Sequence, residues 1–251
     1  MDLSERLDRV NARIRSAALA AGRSTTDITL IAVSKTHPLE AVVEAAKLGQ
    51  AHFGESYIQE AVPKLEAVRT AEGLDRTQKN SLVWHFIGHL QSRKAKEAAG
   101  KFDLIHTVDS FRLAQALHKH MEQLPENGID VYSAGKLRQN VLVQVNIGRE
   151  EQKSGIAEAE LPALVEQILG LSRLSLKGLM CIPPFGFAPE AARPYFARLR
   201  ELGEEMEKEF GKGLISHLSM GMSQDFEIAI AEGATLVRVG TDIFGERAYP
   251  Q

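Results

Sequence analysis

Ile-Thr-Leu-Ile-Ala-Val-Ser-Lys-Thr, residues 28–36, reads as a buried strand that closes on a lysine. A short apolar run with β-branched members suits a strand covered on both faces. A helix-period stretch follows over 39–48 and stops at Gly49, since glycine just past the last periodic residue is a helix-stop signal. The same unit recurs along the chain. Further strand candidates lie at 51–54, 83–88, 104–108, 141–147, 176–182, 216–219 and 236–239. Helical patterns fall at 3–22, 57–68, 92–99, 111–123, 158–169, 189–210 and 225–232, several ending at glycine (Gly100, Gly170, Gly211, Gly233). Strands that each follow a helix predict a parallel sheet.

Eight such units in 251 residues fit one closed (β/α)8 barrel, whose usual length is about 250 residues. A doubly wound open sheet is the alternative. The expected organisation is one α/β domain over 1–251, with a leading helix in 1–25 and the barrel over 26–247. The polar stretches 70–81 and 125–140 read as surface loops or a short insertion. Strand parity favours the barrel, because inward positions alternate with outward ones. Lys35 shares parity with Ile31 and Val33, Gln144 and Asn146 with Leu142, and Arg238 with Leu236 and Gly240. The intervening Val143, Val145, Val237 and Val239 are purely apolar, as helix-facing positions should be. The polar residues therefore point inward near the C-terminal strand ends, where barrel sites lie.

Bulk composition narrows the function classes. A net charge of −3 argues against nucleic-acid or anionic-membrane binding, which calls for a basic excess. The single cysteine, Cys181, cannot form an internal disulfide, so a reducing compartment is expected. No segment reads as a signal peptide or an apolar span, and the expected address is the cytoplasm. His85 and His89 have helical metal-ligand spacing but fall in a strand ending at Gly88, where four residues do not make one face. His85 is expected as a pocket or core histidine, and no metal site is expected. Arg93-Lys94-Ala95-Lys96 and the acidic 201–209 segment read as solvated helix faces, and Cys181 as buried packing. No nucleophile-elbow motif is present.

Lys35 is a lysine in an apolar setting. It either snorkels out of the strand end or serves as a desolvated amine, a nucleophile toward carbonyl compounds. A second constellation is Leu-Ser-Met-Gly-Met-Ser-Gln-Asp (218–225), which runs into a helix, followed by Leu-Val-Arg-Val-Gly-Thr-Asp-Ile-Phe-Gly (236–245). Small-residue loops entering helices expose N–H groups that hold phosphate. In barrels that site is frequently built after strands 7 and 8, which are these two segments. Ser223 could cap the helix or bind an anion; beside Gly240-Thr241, the phosphate reading is favoured. Arg238 keeps its proton, so pointing inward it needs an acceptor, either a carboxylate or a ligand atom.

These segments resemble the pyridoxal phosphate homeostasis proteins. The resemblance is carried by Ala-Val-Ser-Lys-Thr (32–36), Phe-Gly-Glu-Ser-Tyr-Ile-Gln-Glu (53–60), Trp-His-Phe-Ile-Gly (84–88), Leu-Gln-Ser (90–92), Lys-Ser-Gly-Ile (153–156) and Gly-Leu-Met (178–180). Leu-Ser-Met-Gly-Met-Ser (218–223) and Val-Arg-Val-Gly-Thr-Asp-Ile-Phe-Gly (237–245) complete it, in order over nearly the whole chain. It implies a barrel like the N-terminal domain of alanine racemase. It also implies pyridoxal 5′-phosphate (PLP) held as a Schiff base on Lys35, with Arg238 facing the pyridine nitrogen. Gly240, Thr241, Ser219 and Ser223 would serve the phosphate, and Asn146 would be a further cofactor-pocket position. Ser56 and His89 depart from the asparagine and proline that many members carry.

The implied function is a vitamin B6 homeostasis protein that buffers PLP or hands it to apo-enzymes that depend on it. Catalysis is not expected. An arginine against the ring nitrogen opposes its protonation and weakens the ring as an electron sink. Racemases of this fold take a tyrosine base from a second domain, and the only tyrosine after the last strand is Tyr249. A racemase-like PLP enzyme of unknown substrate is the alternative, and a lysine-dependent barrel aldolase is the third reading.

Overall fold

The computed structural model describes residues 1–124, 138–150, 152–184 and 188–246. Its strands are β1 (Thr29–Val33), β2 (His52–Glu55), β3 (Val83–Phe86), β4 (Leu104–Val108), β5 (Gln139–Gln144), β6 (Leu174–Met180), β7 (His217–Ser219) and β8 (Leu236–Val239). The helices are α1 (Leu3–Ala20), α2 (Leu39–Lys47), α3 (Ile58–Thr70), α4 (Arg76–Ser81), α5 (Ala95–Ala98), α6 (Phe111–Glu122), α7 (Leu161–Leu169), α8 (Arg193–Phe210), α9 (Phe226–Ala231) and α10 (Thr241–Phe244). The strands close into a barrel in chain order. Every pair is parallel, and β8 returns to β1 with Ile31 opposite Arg238. Closure removes the two sheet edges that the open doubly wound alternative would leave.

The alternation read from the sequence is realised in the packing. Val143, Val145, Val237 and Val239 join the large apolar layer between barrel and helices. Ile31, Leu104, Leu142, Met180 and Leu236 form a separate cluster inside the barrel. Burying such a side chain contributes roughly 1.5–3 kcal/mol, so this inner layer is a core and not a pore. Polar side chains share the interior: His85, His106, Ser219 and Arg238 are all buried.

The leading helix α1 starts at an Asp2–Glu5 capping box. Leu7, Val10, Ile14 and Ala18, at three- and four-residue spacing, form its buried face. That face lies against α9 and α10, so the first helix packs beside the last two.

Three local expectations change. The 70–81 stretch, expected as loop, holds α4, which Asp75 opens with a capping box to Gln78. β5 begins at Gln139, inside the stretch read as an insertion; residues 125–137 and Tyr249 lie outside the described residues. The segment after β8, expected as a loop, turns directly into α10 at Thr241. Among the described residues no helix is long and apolar enough to cross a membrane.

Candidate functional site

β1 ends at Val33, and the chain then turns sharply through Lys35 and Thr36. Thr36 adopts φ 65°, a left-handed conformation that strains a β-branched residue. Its N–H is held by Glu60 Oε1 at 2.6 Å. A buried cluster secures the same turn from outside the barrel. Lys64 of α3 donates to Ser34 O at 2.9 Å, to Glu55 Oε1 at 2.7 Å and to Glu60 Oε1 at 2.8 Å. Ser34 Oγ donates to Glu55 Oε1 at 2.7 Å. Burial pushes the Glu55 carboxyl pKa upward, while Lys64 opposes that shift. The strained turn is thus fastened at both ends, and it delivers Lys35 to the barrel mouth.

There a cavity of about 360 Å3 opens at the C-terminal strand ends, within the usual ~300–1,000 Å3 range of ligand pockets. Lys35, Ser223, Arg238, Gly240 and Thr241 all line it. Ser56, His37, Met222, Asp225 and Asp242 share the wall, with Ile182, Pro183 and Pro184 as its apolar side. Gly240 packs closely on Val33, where an added Cβ would stand 3.3 Å from both the Val33 Cβ and its carbonyl oxygen. Thr241 opens α10 at the cavity wall, and the first N–H groups of a helix have no partner within it.

Ser223 is not a helix cap. Asp225 occupies the N-cap position of α9, and its Oδ1 accepts from Met222 N–H at 2.7 Å. Ser223 lies two residues earlier in the turn, half-buried at the cavity. The turn is anchored by Arg13 of α1, which lies over the Phe226 ring at 4.4 Å. Arg13 pairs with Glu227 at 2.6 Å and Asp242 at 2.5 Å, and donates to Ser223 O at 3.3 Å.

Two expected site residues stand apart from the cavity wall. Ser219 is fully buried on β7, where its hydroxyl accepts from Arg238 Nη1 at 2.6 Å. It supports Arg238 from beneath and does not itself line the cavity. Asn146 is tied to its own turn, donating to Glu150 O at 2.9 Å and accepting from Glu150 N at 3.3 Å.

Arg238 is 4% exposed. Besides Ser219 it donates to Cys181 O at 3.0 Å. Burial lowers its pKa, and Asp225 opposes that shift; a guanidinium stays charged regardless. The Cys181 thiol is buried and its pKa is pushed up to about 12, so it is inert packing. His85 points into the barrel among other histidines, whereas His89 is exposed and bonds Ser154 Oγ at 3.0 Å. Among the described residues no group of three or more His, Cys, Asp or Glu is arranged to hold a metal. Sequence reasoning missed the Arg13 anchor, the Lys64–Glu55 cluster and the cavity positions of Asp225 and Asp242. Only the last two had a signal, their adjacency to the Ser223 and Thr241 segments.

Residues 6–248 match the model of the alanine racemase N-terminal domain family. The chain is 42% identical over 249 residues to a pyridoxal phosphate homeostasis protein of Aquifex aeolicus, covering 99% of this chain and all of that one. The chain belongs to the pyridoxal phosphate homeostasis protein family. A second member, from Escherichia coli K12, is 43% identical over 99% of this chain and 98% of its own length. Among solved structures, the member PipY of Synechococcus elongatus PCC7942, with PLP bound, is 34% identical. It superposes with a TM-score of 0.79 over 97% of this chain and all of that one. Alanine racemase of Clostridium difficile 630 shares the fold at 18% identity and a TM-score of 0.64, over 97% of this chain but 57% of its own.

Proposed function

We propose that the cavity binds PLP through Lys35 and that the chain holds the cofactor reversibly, to buffer it or pass it to apo-enzymes. The observation that carries this reading is the convergence of a primary amine, a buried guanidinium and the Ser223 and Gly240–Thr241 segments on one cavity. That donor set suits an anionic aldehyde. Arg238 and the helix-start N–H groups favour negative charge, and Lys35 supplies the amine. A relative sharing 34% identity holds PLP. When bound, the cofactor supplies an aldehyde carbon that an uncharged amine can attack with loss of water.

The chain's own residues then divide the work. Ser223, Gly240 and Thr241 would hold the phosphate end, on a wall that Arg13 braces from α1 through Ser223 O and Asp242. Arg238 would hold the ring-nitrogen side of the cofactor and, being cationic, would disfavour a proton there. This opposes electron withdrawal by the ring and favours holding the cofactor over transforming amino acids with it. Pro183, Pro184 and Ile182 exclude water from one side. Ser219 and Asn146 act at one remove, through Arg238 and through the 146–150 turn.

Titration with PLP tests the reading. A visible absorption band of the lysine-bound cofactor is expected in the wild type and absent in Lys35→Ala. A band that persisted in Lys35→Ala would place the linkage elsewhere. Incubating loaded protein with single-enantiomer amino acids in deuterated water tests the carrier reading separately. No α-deuteration is expected, and appreciable exchange would make the racemase-like alternative the better one. Transfer to an apo-enzyme, with free PLP scavenged, distinguishes delivery from storage.

A further inference from the structure

Arg238 carries its charge inside the barrel, yet among the described residues its two direct acceptors, Ser219 Oγ and Cys181 O, are both neutral, and Asp225 acts on it only through space. A buried cation without a contacting carboxylate is expensive unless oriented dipoles present their negative ends to it. The barrel interior holds a row of groups that can do this. His106 Nδ1 lies 2.8 Å from Ser219 Oγ, His106 Nε2 lies 2.9 Å from His85 Nδ1, and His85 Nε2 lies 3.0 Å from His52 Nδ1. His106 is fully buried, His85 nearly so, and His52 half-buried at the opposite end of the row.

The polarity of this row is fixed by its first member. Ser219 Oγ accepts from Arg238, so the hydroxyl proton must go elsewhere. Among the described residues its one other side-chain partner is His106 Nδ1, which therefore accepts. Burial, and next the nearby His85 and Arg238, push the His106 pKa well below the usual range, so the ring is neutral and carries its proton on Nε2. That proton is donated to His85 Nδ1, and His85 Nε2–H is donated to His52 Nδ1 in turn. Each acceptor end faces Arg238, and each donor end faces away. Bonds arranged head to tail polarise one another. The opposite orientation would strand the Ser219 proton and aim a positive N–H toward the guanidinium.

We propose that Ser219, His106, His85 and His52 form a polarised chain that positions Arg238, holds its charge inside the barrel and thereby sets the affinity of the cavity for PLP. The affinity part rests on the PLP reading above. The orientation of the chain belongs to the ligand-free protein. His106 and His85 touch no ligand; they are positioning residues acting through Ser219.

Two measurements on the full chain test this. Nitrogen-15 NMR of the ligand-free protein at neutral pH, with His106 assigned by its disappearance in His106→Asn, should show the Nε2–H tautomer with Nδ1 unprotonated. An Nδ1–H tautomer or an imidazolium would overturn the chain, whether or not PLP binds. In PLP titrations, His106→Leu should weaken binding about ten-fold, the scale of leaving the buried Ser219 hydroxyl proton without an acceptor. His106→Asn, whose Oδ1 can replace Nδ1 as the acceptor from Ser219, should recover part of that loss. His85→Leu, one place further along the row from Ser219, should weaken binding less than His106→Leu does. A folded His106→Leu protein binding PLP as tightly as wild type would overturn the link to affinity. Wild type that bound no PLP would sink the functional reading and leave the tautomer result to judge the chain alone.

Discussion

The barrel interior is divided between two kinds of packing. On one side Ile31, Leu104, Leu142, Met180 and Leu236 fill it with aliphatic side chains. On the other, His52, His85, His106, Ser219 and Arg238 are joined in a row of hydrogen bonds. Leu104 and His106 leave the same strand two residues apart, as do Leu236 and Arg238. The division therefore runs along strands as well as between them. The aliphatic side tolerates small shifts because dispersion has no direction. The polar side keeps its value only while each donor meets its acceptor. Stability is concentrated in the first, and the geometry beneath the cavity in the second.

The strongest challenge to this division is Leu142→Ala. It should lower the unfolding free energy by about 2–5 kcal/mol through a cavity among side chains that cannot fully collapse. Urea unfolding would measure this, and a loss under about 1 kcal/mol would mean the aliphatic side is not a rigid core. PLP affinity in the folded protein should change little. Gly54→Ala probes the seam between the two sides. An added Cβ would stand 2.9 Å from Ile31 Cγ2 and 3.1 Å from Ile87 Cδ1, so overpacking should destabilise by roughly 1–3 kcal/mol. Unchanged stability would show slack at that seam.

The smallest effect per step is the pH dependence of the polar side. Burial lowers the pKa values of His52, His106 and His217 in the folded state. Above the unfolded value of about 6.5 both states are neutral, and the stability these histidines allow is fully present. As pH falls below that value the unfolded chain takes up protons first, so stability declines. It is lost progressively until the folded pKa values are reached. Each histidine contributes up to about 1.4 kcal/mol per pH unit in that window. His106→Asn should make the decline shallower by about one histidine's share. An unaltered slope would remove His106 from the set of depressed groups, and Leu142→Ala should leave the slope as it is.

The fold was legible because its signals are local and repeated. The glycine stops at 49, 100 and 233 and the valine alternation at 143, 145, 237 and 239 are written in neighbouring residues. Strand parity placed Arg238 inside the barrel, and residue matches grouped Lys35 with Ser223, Gly240 and Thr241. Parity says that a side chain points inward; it does not say what it will meet there. Ser219 was read as a phosphate ligand, and in the fold it lies under Arg238 because β7 sits deeper than the turn that bears Ser223. The histidine row joins residues 52, 85, 106 and 219. No two of them share a segment, and only closure of the barrel brings them into line. The Asp75–Gln78 capping box is a different case: its signal stood in the sequence inside a stretch read as loop.

Arg13 has one more consequence. It belongs to the first helix, while Ser223, Glu227 and Asp242 lie more than 200 residues later. The Ser223 and Asp242 wall of the cavity therefore takes its final shape only when the opening helix clasps the closing ones. During synthesis, a chain still lacking its last strand and helix would have Lys35 exposed but no finished seat beside it. A nascent chain would bind the reactive aldehyde weakly, and competence would arrive late and all at once, with the meeting of the two ends.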